Sequence, residues 1–552
     1  MNKKLILIFA LALFLRSFRI AQAPERLTHD EMSIAYNAFS IGQTLKDEWG
    51  RFLPLDFEAF GDHKLPGYIY ASVPFVKIFG LNNWSVKIPS ILAGSLLVLV
   101  IYFLALELKF TKKTALLAAL LTAINPWPLQ LSRMAFESNL ALLFFTTGLL
   151  FLFRDLKLSL KERSPFGRKI LAAIFFALSF YTYVAYRLIV VLVLVATFIF
   201  TKNKKNISQL ILLLCVFLLP LLGSVFAKSG TARFSQISIF KDEGVRAEIM
   251  EKRNFCFLSS PALNRPCQLF FNKYLFFPQL LVKNYAQILS PQFLFIEGDT
   301  LKYLNPAKNG EFLLILLPFY CLGFYYLLQN KNSRQKLFLL FFFLAPLPTI
   351  LVGEPQIVRA SAMLPFLIIL IALALAQLNY KFLIFVLFAT SIYTGQYLLN
   401  YHFVYSHQDA AAFYPLPAPL FSYLQKEEPN FDLIYIDDHF PDAHIGVAFY
   451  GKLNPLVYQK NILRPASDNL GFRHPYQLLK YQFGRQTWDQ LVNTPGKVLY
   501  VTLHHDVFTD KERKALTEFK DFSGVHTQVQ VFNLAKFNGR EELPVDTLEP
   551  RL

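Results

Sequence analysis

Two adjacent carboxylates, Asp30 and Glu31, follow the first hydrophobic run of the chain, in T-H-D-E-M-S-I-A-Y-N-A-F at residues 28–39. Such a pair can cap a helix, relay protons in a transporter, or provide acid/base catalysis at a membrane face. Thr28 with Glu31 three residues later forms a capping box, so Glu31 has a sufficient structural role. Asp30 has no such role, because the helix dipole stabilises a first-turn carboxylate by only ~0.3–1 kcal/mol. Asp30 is therefore the candidate for chemistry.

The capping box predicts a short helix, in which Ile34, Ala38 and Ile41 recur at helical spacing. We expect this helix to be amphipathic and to lie along the outer membrane surface.

Several turns predicted to lie on the same side as Asp30 carry charged or polar side chains. A single Lys or Arg at a helix end has an ordinary interpretation, because its long side chain reaches the interface. Together, these residues favour a reaction on an anionic, lipid-linked substrate, whose phosphate the cations bind while a carboxylate takes a proton from a hydroxyl. The candidate cations are Lys64, Arg133, Arg187 and Arg359. The candidate supporting residues are Glu137, which is predicted to share a helix face with Arg133, Tyr183 and Glu354.

The composition indicates a membrane protein. Hydrophobic residues make up 54% of the 552 positions, charged residues only 17%, and the mean hydropathy is +0.37, whereas soluble domains are about 25% charged. Apolar runs of about 17–22 residues are long enough to cross a bilayer. The sequence predicts eleven spans, at 5–22, 88–108, 114–131, 139–153, 170–186, 187–201, 207–227, 311–328, 337–353, 357–378 and 381–399.

The distribution of charge predicts the topology. With the N-terminus in the cytoplasm, the inner segments hold 18 Lys and Arg residues against only Glu107, Asp155 and Glu162, as the positive-inside rule requires. These segments are the N-terminus, 109–113, 154–169, 201–205, 331–336 and Lys381. This arrangement accounts for most of the formal charge of +17 and removes any need for a nucleic-acid partner.

Two alternatives are weighed against this topology. A21-Q-A23 resembles a signal-peptide cleavage site, but Arg16 and Arg19 interrupt the apolar run, which favours a retained anchor helix. A transporter should carry coupling carboxylates near the bilayer midplane, whereas the middles of the predicted spans are almost free of ionisable residues.

The outer regions comprise a first loop at 23–87, a long loop at 228–310 and a tail at 401–552. The tail predicts a small extracytoplasmic α/β domain, with strands at 432–436, 446–450, 497–502 and 525–532 and a helical or loop segment at 476–482. H-H-D at 504–506 is interpreted as a loop at a strand end.

Cys256 and Cys267 share the long loop, where an oxidising compartment would permit a disulfide, and a reduced pair is the alternative. Cys215 and Cys321 fall within predicted spans.

The order of several short motifs resembles the GT-C glycosyltransferases, and specifically the protein mannosyltransferase and aminoarabinose transferase superfamily. The resemblance covers about residues 1–400 and is densest in 1–140. Its motifs are the pair at 30–31 with Y-N-A-F at 36–39, K-D-E-W-G-R-F-L-P-L at 46–55, G-D-H-K-L-P-G-Y-I-Y at 61–70, P-F-V-K-I-F-G at 74–80 and S-R-M-A-F-E at 132–137. One departure is Lys64-Leu65-Pro66, where the family often reads K-P-P.

The resemblance implies a helical polytopic transferase of the plasma (inner) membrane, with a catalytic domain at 1–400. It would use a polyprenyl-phosphate-linked sugar and invert the anomeric configuration at the outer face. Asp30 would be the catalytic base, and Lys64, Arg133, Arg187 and Arg359 would hold the donor phosphate. A divalent metal could supplement the cations, although nothing in the sequence requires one. The acceptor would be a lipid, a protein or a glycan, and a polymerase or ligase of lipid-linked glycans is the alternative enzyme.

The charge count predicts that the C-terminus lies outside. A reporter fused after Leu552 should be active only in the extracytoplasmic compartment, because an odd number of spans separates it from the cytoplasmic N-terminus. A reporter that is active in the cytoplasm would contradict the topology.

Overall fold

The computed structural model describes most of the chain. The described residues are 3–59, 62–156, 166–201, 204–221, 239–240, 242–259, 264–306, 309–329, 332–440, 442–466, 473–484, 490, 493–502, 517–520 and 527–534. The H-H-D segment at 504–506 lies outside this set.

Helices dominate the described residues, as the composition predicts. In chain order they are α1 (Lys3–Ser17), α2 (His29–Thr44), α3 (Pro66–Phe79), α4 (Ile88–Glu107), α5 (Lys112–Ile124), α6 (Pro126–Arg133), α7 (Glu137–Asp155), α8 (Phe166–Thr182), α9 (Ala185–Phe200), α10 (Lys204–Leu218), α11 (Glu243–Ser259), α12 (Asn264–Phe270), α13 (Lys273–Leu289), α14 (Leu317–Leu328), α15 (Ser333–Leu344), α16 (Leu347–Ile350), α17 (Leu364–Gln377), α18 (Tyr380–Asn400), α19 (Ser406–Gln408), α20 (Ala410–Phe413), α21 (Ala418–Glu427), α22 (Ala443–Tyr450) and α23 (Pro455–Asn461).

The strands fall in two places. In chain order they are β1 (Phe57–Ala59), β2 (Asp62–Lys64), β3 (Leu433–Ile436), β4 (Ile462–Leu463), β5 (Gln477–Leu478), β6 (Tyr481–Phe483), β7 (Val498–Thr502), β8 (Thr517–Lys520) and β9 (Thr527–Asn533). β1 and β2 form an antiparallel pair, and the described strands of the tail form a sheet in the order β4-β5-β6-β3-β7-β9-β8. In this sheet β3 lies parallel to both β6 and β7, and the remaining pairs are antiparallel.

The chain divides into two compact units. Unit 1 comprises Met1–Ile20, Leu65–Tyr68 and Lys87–Tyr401, and unit 2 comprises Ala21–Lys64, Ile69–Val86 and His402–Leu552. The greater part of the predicted first outer loop therefore belongs to the same unit as the C-terminal segment, although the two are far apart in sequence.

Each of the eleven predicted spans contains a helix, but several are interrupted. Within the described residues, four helical stretches are long and apolar enough to cross a bilayer, namely Ser85–Glu107, Glu137–Asp155, Lys204–Leu221 and Tyr380–Gln408. A fifth span results if the bent pair α5 and α6 counts as one. The chain is thus helical with several apolar helices, and the number eleven remains a prediction.

The predicted span at 114–131 bends by 52° between α5 and α6. Pro126 and Pro128 cause the break, because proline provides no backbone N–H and excludes the helical conformation from the preceding residue. Asn125 accordingly has extended backbone angles, φ −73° and ψ 151°.

Two predictions for the tail are wrong. Residues 446–450 belong to helix α22, which begins at Ala443, and are not a strand. A short, continuously apolar run does not distinguish a buried strand from a buried helix, and α22 is buried along almost its whole length. Residues 476–482, expected to be helical or loop, instead contribute to β5 and β6. The strands expected near 432–436, 497–502 and 525–532 are present as β3, β7 and β9.

A buried arginine joins the bend to the first helix in unit 1. Arg16 is fully buried, and its guanidinium donates to the carbonyl oxygens of Thr122 at 2.8 Å and Ala123 at 3.2 Å. These carbonyls belong to the last turn of α5, where a cation complements the helix dipole. The Arg16 Nε also donates to the Ser132 hydroxyl at 3.1 Å.

Gly94 has no side chain, which leaves space for the contact between Arg16 and Ser132. A Cβ at this position would lie 1.9 Å from Ser132 Oγ and 2.9 Å from Arg16 Nε. We expect Gly94→Ala to lower the free energy of unfolding by about 1–3 kcal/mol, or more, because the packed neighbours must shift. Thermal unfolding in detergent measures this effect.

Gly395→Ala is the matched control, since this glycine lies inside α18 and a Cβ there would meet no atom within 4 Å. It should leave stability unchanged or raise it by up to ~1 kcal/mol through helix propensity. Equal effects of the two substitutions would contradict the steric argument.

Candidate functional site

The capping box at the start of α2 is present as predicted. The Glu31 backbone N–H donates to Thr28 Oγ1 at 3.2 Å, and the Thr28 N–H donates to Glu31 Oε2 at 3.0 Å. Glu31 is 1% exposed, so its carboxylate is committed to fixing the helix N-terminus.

Asp30, one residue earlier, has different surroundings. Its side chain is 52% exposed and accepts a hydrogen bond from Lys64 Nζ, with which it forms an ion pair. Lys64 is only 2% exposed. A buried ammonium is costly unless a carboxylate pairs with it, and Asp30 provides that carboxylate. The structure therefore brings together the predicted base and the first of the predicted cations.

The positions of both residues follow from local structure. Asp30 occupies the first turn of α2, and Lys64 ends strand β2 immediately before Leu65 and the Pro66 that begins α3. In the same hairpin, His63 Nδ1 lies 2.8 Å from Asp56 Oδ2. This contact involves residues that the sequence analysis did not select.

Helix α2 is not the exposed amphipathic helix that was expected. Most of its residues from Glu31 to Ile41 are buried, and α2 packs against α22 and α23 of the C-terminal segment. Tyr36 donates to the Leu453 carbonyl oxygen at 2.9 Å, and its ring lies 5.0 Å from that of Tyr458. The prediction of a surface helix was wrong because the helices that bury α2 lie about 400 residues further along the chain.

The loop after α2 is held by the same segment. Glu48 is buried, its backbone N–H donates to Asn37 Oδ1 at 3.0 Å, and Tyr458 donates to its carboxylate at 3.5 Å. Burial raises the pKa of Glu48 to about 7, although the positive charge of Arg464 opposes this shift. The Arg464 guanidinium stacks on the neighbouring Trp49 ring at 3.7 Å. Sequence reasoning missed Glu48, whose only signal was its place in K-D-E-W-G-R at 46–51.

The remaining candidates lie in unit 1. Arg133 is 1% exposed, donates to the carbonyl oxygens of Leu15 at 2.8 Å and Arg16 at 3.1 Å, and lies over the Tyr401 ring at 5.0 Å. It thereby caps the C-terminal end of α1. The prediction that Arg133 and Glu137 share one helix face is wrong, because α6 ends at Arg133 and α7 begins at Glu137.

Arg187 and Arg359 are both partly exposed. Arg187 Nε donates to the Phe180 carbonyl oxygen at 3.4 Å across the break between α8 and α9, where Tyr183 lies. Arg359 Nη1 donates to the Val352 carbonyl oxygen at 3.2 Å, and the turn it closes contains the exposed Glu354.

A carboxylate that sequence reasoning missed, Asp299, orders this turn. Asp299 is 3% exposed and accepts hydrogen bonds from the backbone N–H groups of Ile357 at 2.8 Å and Leu301 at 2.9 Å. Burial raises the pKa of Asp299 to about 6, although these hydrogen bonds and Arg359 oppose the shift.

The disulfide between Cys256 and Cys267 is present, and Cys215 and Cys321 are free.

Among the described residues, one group has the arrangement of a metal site, in which Asp437, Asp438 and His439 place one ligand atom each within 4.8 Å of one another. Asp437 is already engaged there, since it accepts from Tyr500 at 2.5 Å and Thr502 at 3.1 Å.

The fold is similar to that of known membrane transferases. ArnT from Cupriavidus metallidurans bound to undecaprenyl phosphate matches with a TM-score of 0.56 at 11% identity, over 96% of this chain and 97% of that chain. Its apo state matches with a TM-score of 0.57 at 12% identity and the same coverage. The chain therefore shares the fold of these ArnT structures. The predicted resemblance is thereby confirmed.

A more distant likeness extends to the Archaeoglobus fulgidus oligosaccharyltransferase tethered with an acceptor peptide, with a TM-score of 0.51 at 14% identity. The match covers 81% of this chain but only 62% of that chain, so this chain spans about three fifths of that protein's length.

In sequence, residues 63–223 match the family of dolichyl-phosphate-mannose-protein mannosyltransferases. This range includes Lys64, Arg133, Glu137, Tyr183 and Arg187 but ends short of Arg359 and begins after Asp30. No curated protein matches the chain in sequence.

The raised pKa of Glu48 predicts a pH dependence of stability. A carboxyl group with a higher pKa in the folded than in the unfolded state stabilises the fold below its unfolded pKa, and this stabilisation is lost as the pH rises through about 4.5 to 7. Glu48→Gln should remove this dependence and unfold at a higher temperature than the unchanged protein at pH 8. The expected difference in the free energy of unfolding at pH 8 is on the order of 1–3 kcal/mol.

At pH 5 the two proteins should differ little, because Glu48 is then protonated in the fold. The comparison at pH 5 is therefore the internal control for the effect at pH 8. Parallel stability profiles for Glu48→Gln and the unchanged protein would contradict the assignment.

Proposed function

We propose that this protein transfers a sugar from a polyprenyl-phosphate-linked donor to a hydroxyl acceptor at the extracytoplasmic face of the plasma (inner) membrane, with inversion at the anomeric carbon. The observation that carries the proposal is the ion pair between the half-exposed Asp30 and the buried Lys64, in a chain with the GT-C fold. The bound undecaprenyl phosphate of the similar ArnT structure supports a polyprenyl-phosphate donor. A polymerase or ligase of lipid-linked glycans, which couples two lipid-bound substrates, is the alternative enzyme.

The topology belongs to the same proposal. The N-terminus lies in the cytoplasm, the first loop, the long loop and the C-terminal segment lie outside, and residues 1–400 form the membrane-embedded catalytic part. The positive charge of the predicted inner loops supports this orientation.

In the proposed reaction, Asp30 is the general base. Its carboxylate takes the proton of the acceptor hydroxyl while that oxygen forms a bond to the anomeric carbon. The bond between the anomeric carbon and the phosphate oxygen breaks on the opposite face, and its electron pair leaves with the polyprenyl phosphate. The partial exposure of Asp30 supports this role, because an acceptor must reach the base.

Lys64 stabilises the leaving group. The donor is a phosphodiester with one negative charge, and the departing polyprenyl phosphate gains a second, which a fixed ammonium group offsets without proton transfer. In the absence of donor, Lys64 pairs with Asp30, and we infer that the donor phosphate draws the ammonium group toward itself.

The other candidates assist the donor phosphate in this proposal. Arg133, Arg187 and Arg359 provide further positive charge, and each also binds a backbone carbonyl oxygen that holds it in place. Glu137, Tyr183 and Glu354 support their orientation. A divalent metal could supplement these cations.

Substitutions of Asp30 and Glu31 should have different effects on activity and stability. Asp30→Asn keeps the side-chain shape but cannot accept a proton, so transfer should fall by ~10²–10⁴. The substitution also removes the charge that pairs with Lys64, so thermal stability is measured beside activity, and donor binding should persist because the donor phosphate can pair with the ammonium group. Glu31→Gln is the matched control: Gln also serves in a capping box, and activity should largely remain. Glu31→Ala should lose part of the activity together with thermal stability, by roughly 0.5–2 kcal/mol.

Release of polyprenyl phosphate from purified protein in detergent, with a panel of undecaprenyl-phosphate sugars, measures these effects. Lys64→Met should weaken donor binding and lower the transfer rate, by about 2.7–4 kcal/mol in transition-state stabilisation. If Glu31→Gln is as inactive as Asp30→Asn while its stability is unchanged, the division of roles between the two carboxylates is wrong. If Asp30→Asn remains active, the proposed base is wrong.

A further inference from the structure

The long loop contains three helices, two of which are linked by a disulfide. Cys256 of α11 is bonded to Cys267 of α12, and Cys267 is buried. The Lys252 ammonium lies over the Phe276 ring of α13 at 5.0 Å. We call residues 252–259 and 264–289, from the second half of α11 to the end of α13, the stapled segment.

The stapled segment has an unusual charge distribution. The sequence has no Asp or Glu between residues 252 and 296. Over the same stretch it has five basic residues, Lys252, Arg253, Arg265, Lys273 and Lys283, and all five are exposed. Lys252 pairs with Glu248 of the same helix at 2.7 Å, so the uncompensated positive charge lies on the other four basic residues. A surface in contact with water alone normally mixes both signs of charge, whereas an excess of cations is complementary to an anionic partner.

The same surface exposes large apolar side chains. Eight of them are more than a third exposed: Phe255 62%, Phe257 41%, Leu258 72%, Leu269 64%, Phe270 64%, Tyr274 76%, Leu275 42% and Val282 70%. None of the described side chains of α11 is buried. Contiguous exposed apolar groups of this kind mark an interaction surface.

The C-terminal half of α13 is anchored to a predicted membrane span. Tyr285 donates to the Phe343 carbonyl oxygen at 2.9 Å, and Asn284 donates to the Gly353 carbonyl oxygen at 3.0 Å. Both acceptors belong to the span predicted at 337–353 or its end. Gly353 is the outer end of that predicted span, so the segment is attached to the span and reaches its outer end.

We propose that the stapled segment is a lipid-binding surface that lies in the membrane–water interface and selects anionic headgroups. The apolar side chains enter the region between headgroups and acyl chains, and the Lys and Arg side chains extend to the phosphates. A membrane accounts for both observations, because apolar contact and an excess of positive charge are what an anionic bilayer surface complements. The proposal concerns this surface alone and holds whichever sugar or acceptor the protein uses.

Fluorescence quenching on the full-length protein tests the location. In a background of Cys215→Ser and Cys321→Ser, Leu258→Cys is labelled with an environment-sensitive fluorophore, and the protein is reconstituted in phosphatidylcholine nanodiscs with or without phosphatidylglycerol. The label should be quenched by nitroxide groups on the lipid chains and shielded from aqueous iodide. Leu456→Cys, which replaces a 58% exposed leucine of α23, is the control, and its label should be quenched by iodide.

A second comparison tests the selection of anionic lipid. Phosphatidylglycerol should increase lipid quenching at position 258 several-fold at low salt and less at high salt. The triple substitution Arg265→Gln, Lys273→Gln and Lys283→Gln should abolish that increase. The matched triple substitution Lys426→Gln, Lys452→Gln and Lys460→Gln removes three exposed lysines of unit 2 and should retain it.

Three outcomes would overturn the proposal. Iodide quenching at position 258 equal to that at position 456 would place the segment in water. Lipid quenching that does not respond to phosphatidylglycerol would exclude the selection of anionic lipid. Shielding from both quenchers in nanodiscs that contain two copies would show that a second copy covers the surface.

Discussion

The candidate site depends on the need of a buried ammonium group for a carboxylate. Lys64 is almost completely buried at the end of β2, and an unpaired charge there would be strongly destabilising. Asp30 meets this need from the first turn of α2, whose N-terminus is fixed by Thr28 and Glu31. The capping box, the helix and the hairpin therefore act together to hold one half-exposed carboxylate beside one cation, and the proposed chemistry uses this pair.

The helix that carries Asp30 depends in turn on the C-terminal segment. Tyr36, Asn37 and Glu48 are buried and contact either each other or residues of that segment, so the proposed base is supported by residues more than 400 positions away. This arrangement gives the C-terminal segment a structural role in positioning the site. Glu48 lies where the first loop and the C-terminal segment meet within unit 2, and their contact buries it. Because burial disfavours the charged carboxylate, the pKa of Glu48 is raised to about 7.

Unit 1 uses two buried arginines in a different way. Arg16 binds the last carbonyl groups of α5, and Arg133 binds the last carbonyl groups of α1. Each guanidinium thus satisfies acceptors that a helix end leaves without intrahelical partners, and both lie near the bend imposed by Pro126 and Pro128. A cation in a predicted membrane span is often interpreted as part of a ligand site, but these contacts show that helix ends alone can account for such burial.

The sequence by itself determined the features that depend on neighbouring residues and on composition. It predicted the helical membrane character, the capping box of Thr28 and Glu31, the pairing of Cys256 with Cys267 and the GT-C resemblance, because each rests on short spacings or on the order of local motifs. Only the tertiary structure decided which residues meet across the chain. The ion pair of Asp30 with Lys64, the burial of α2, the separation of Arg133 and Glu137 by a helix end, and the carboxylates Glu48 and Asp299 all depend on contacts between distant segments. The helical character of 446–450 also required the structure, since an apolar run that is buried on every side has no periodicity from which its conformation could be read.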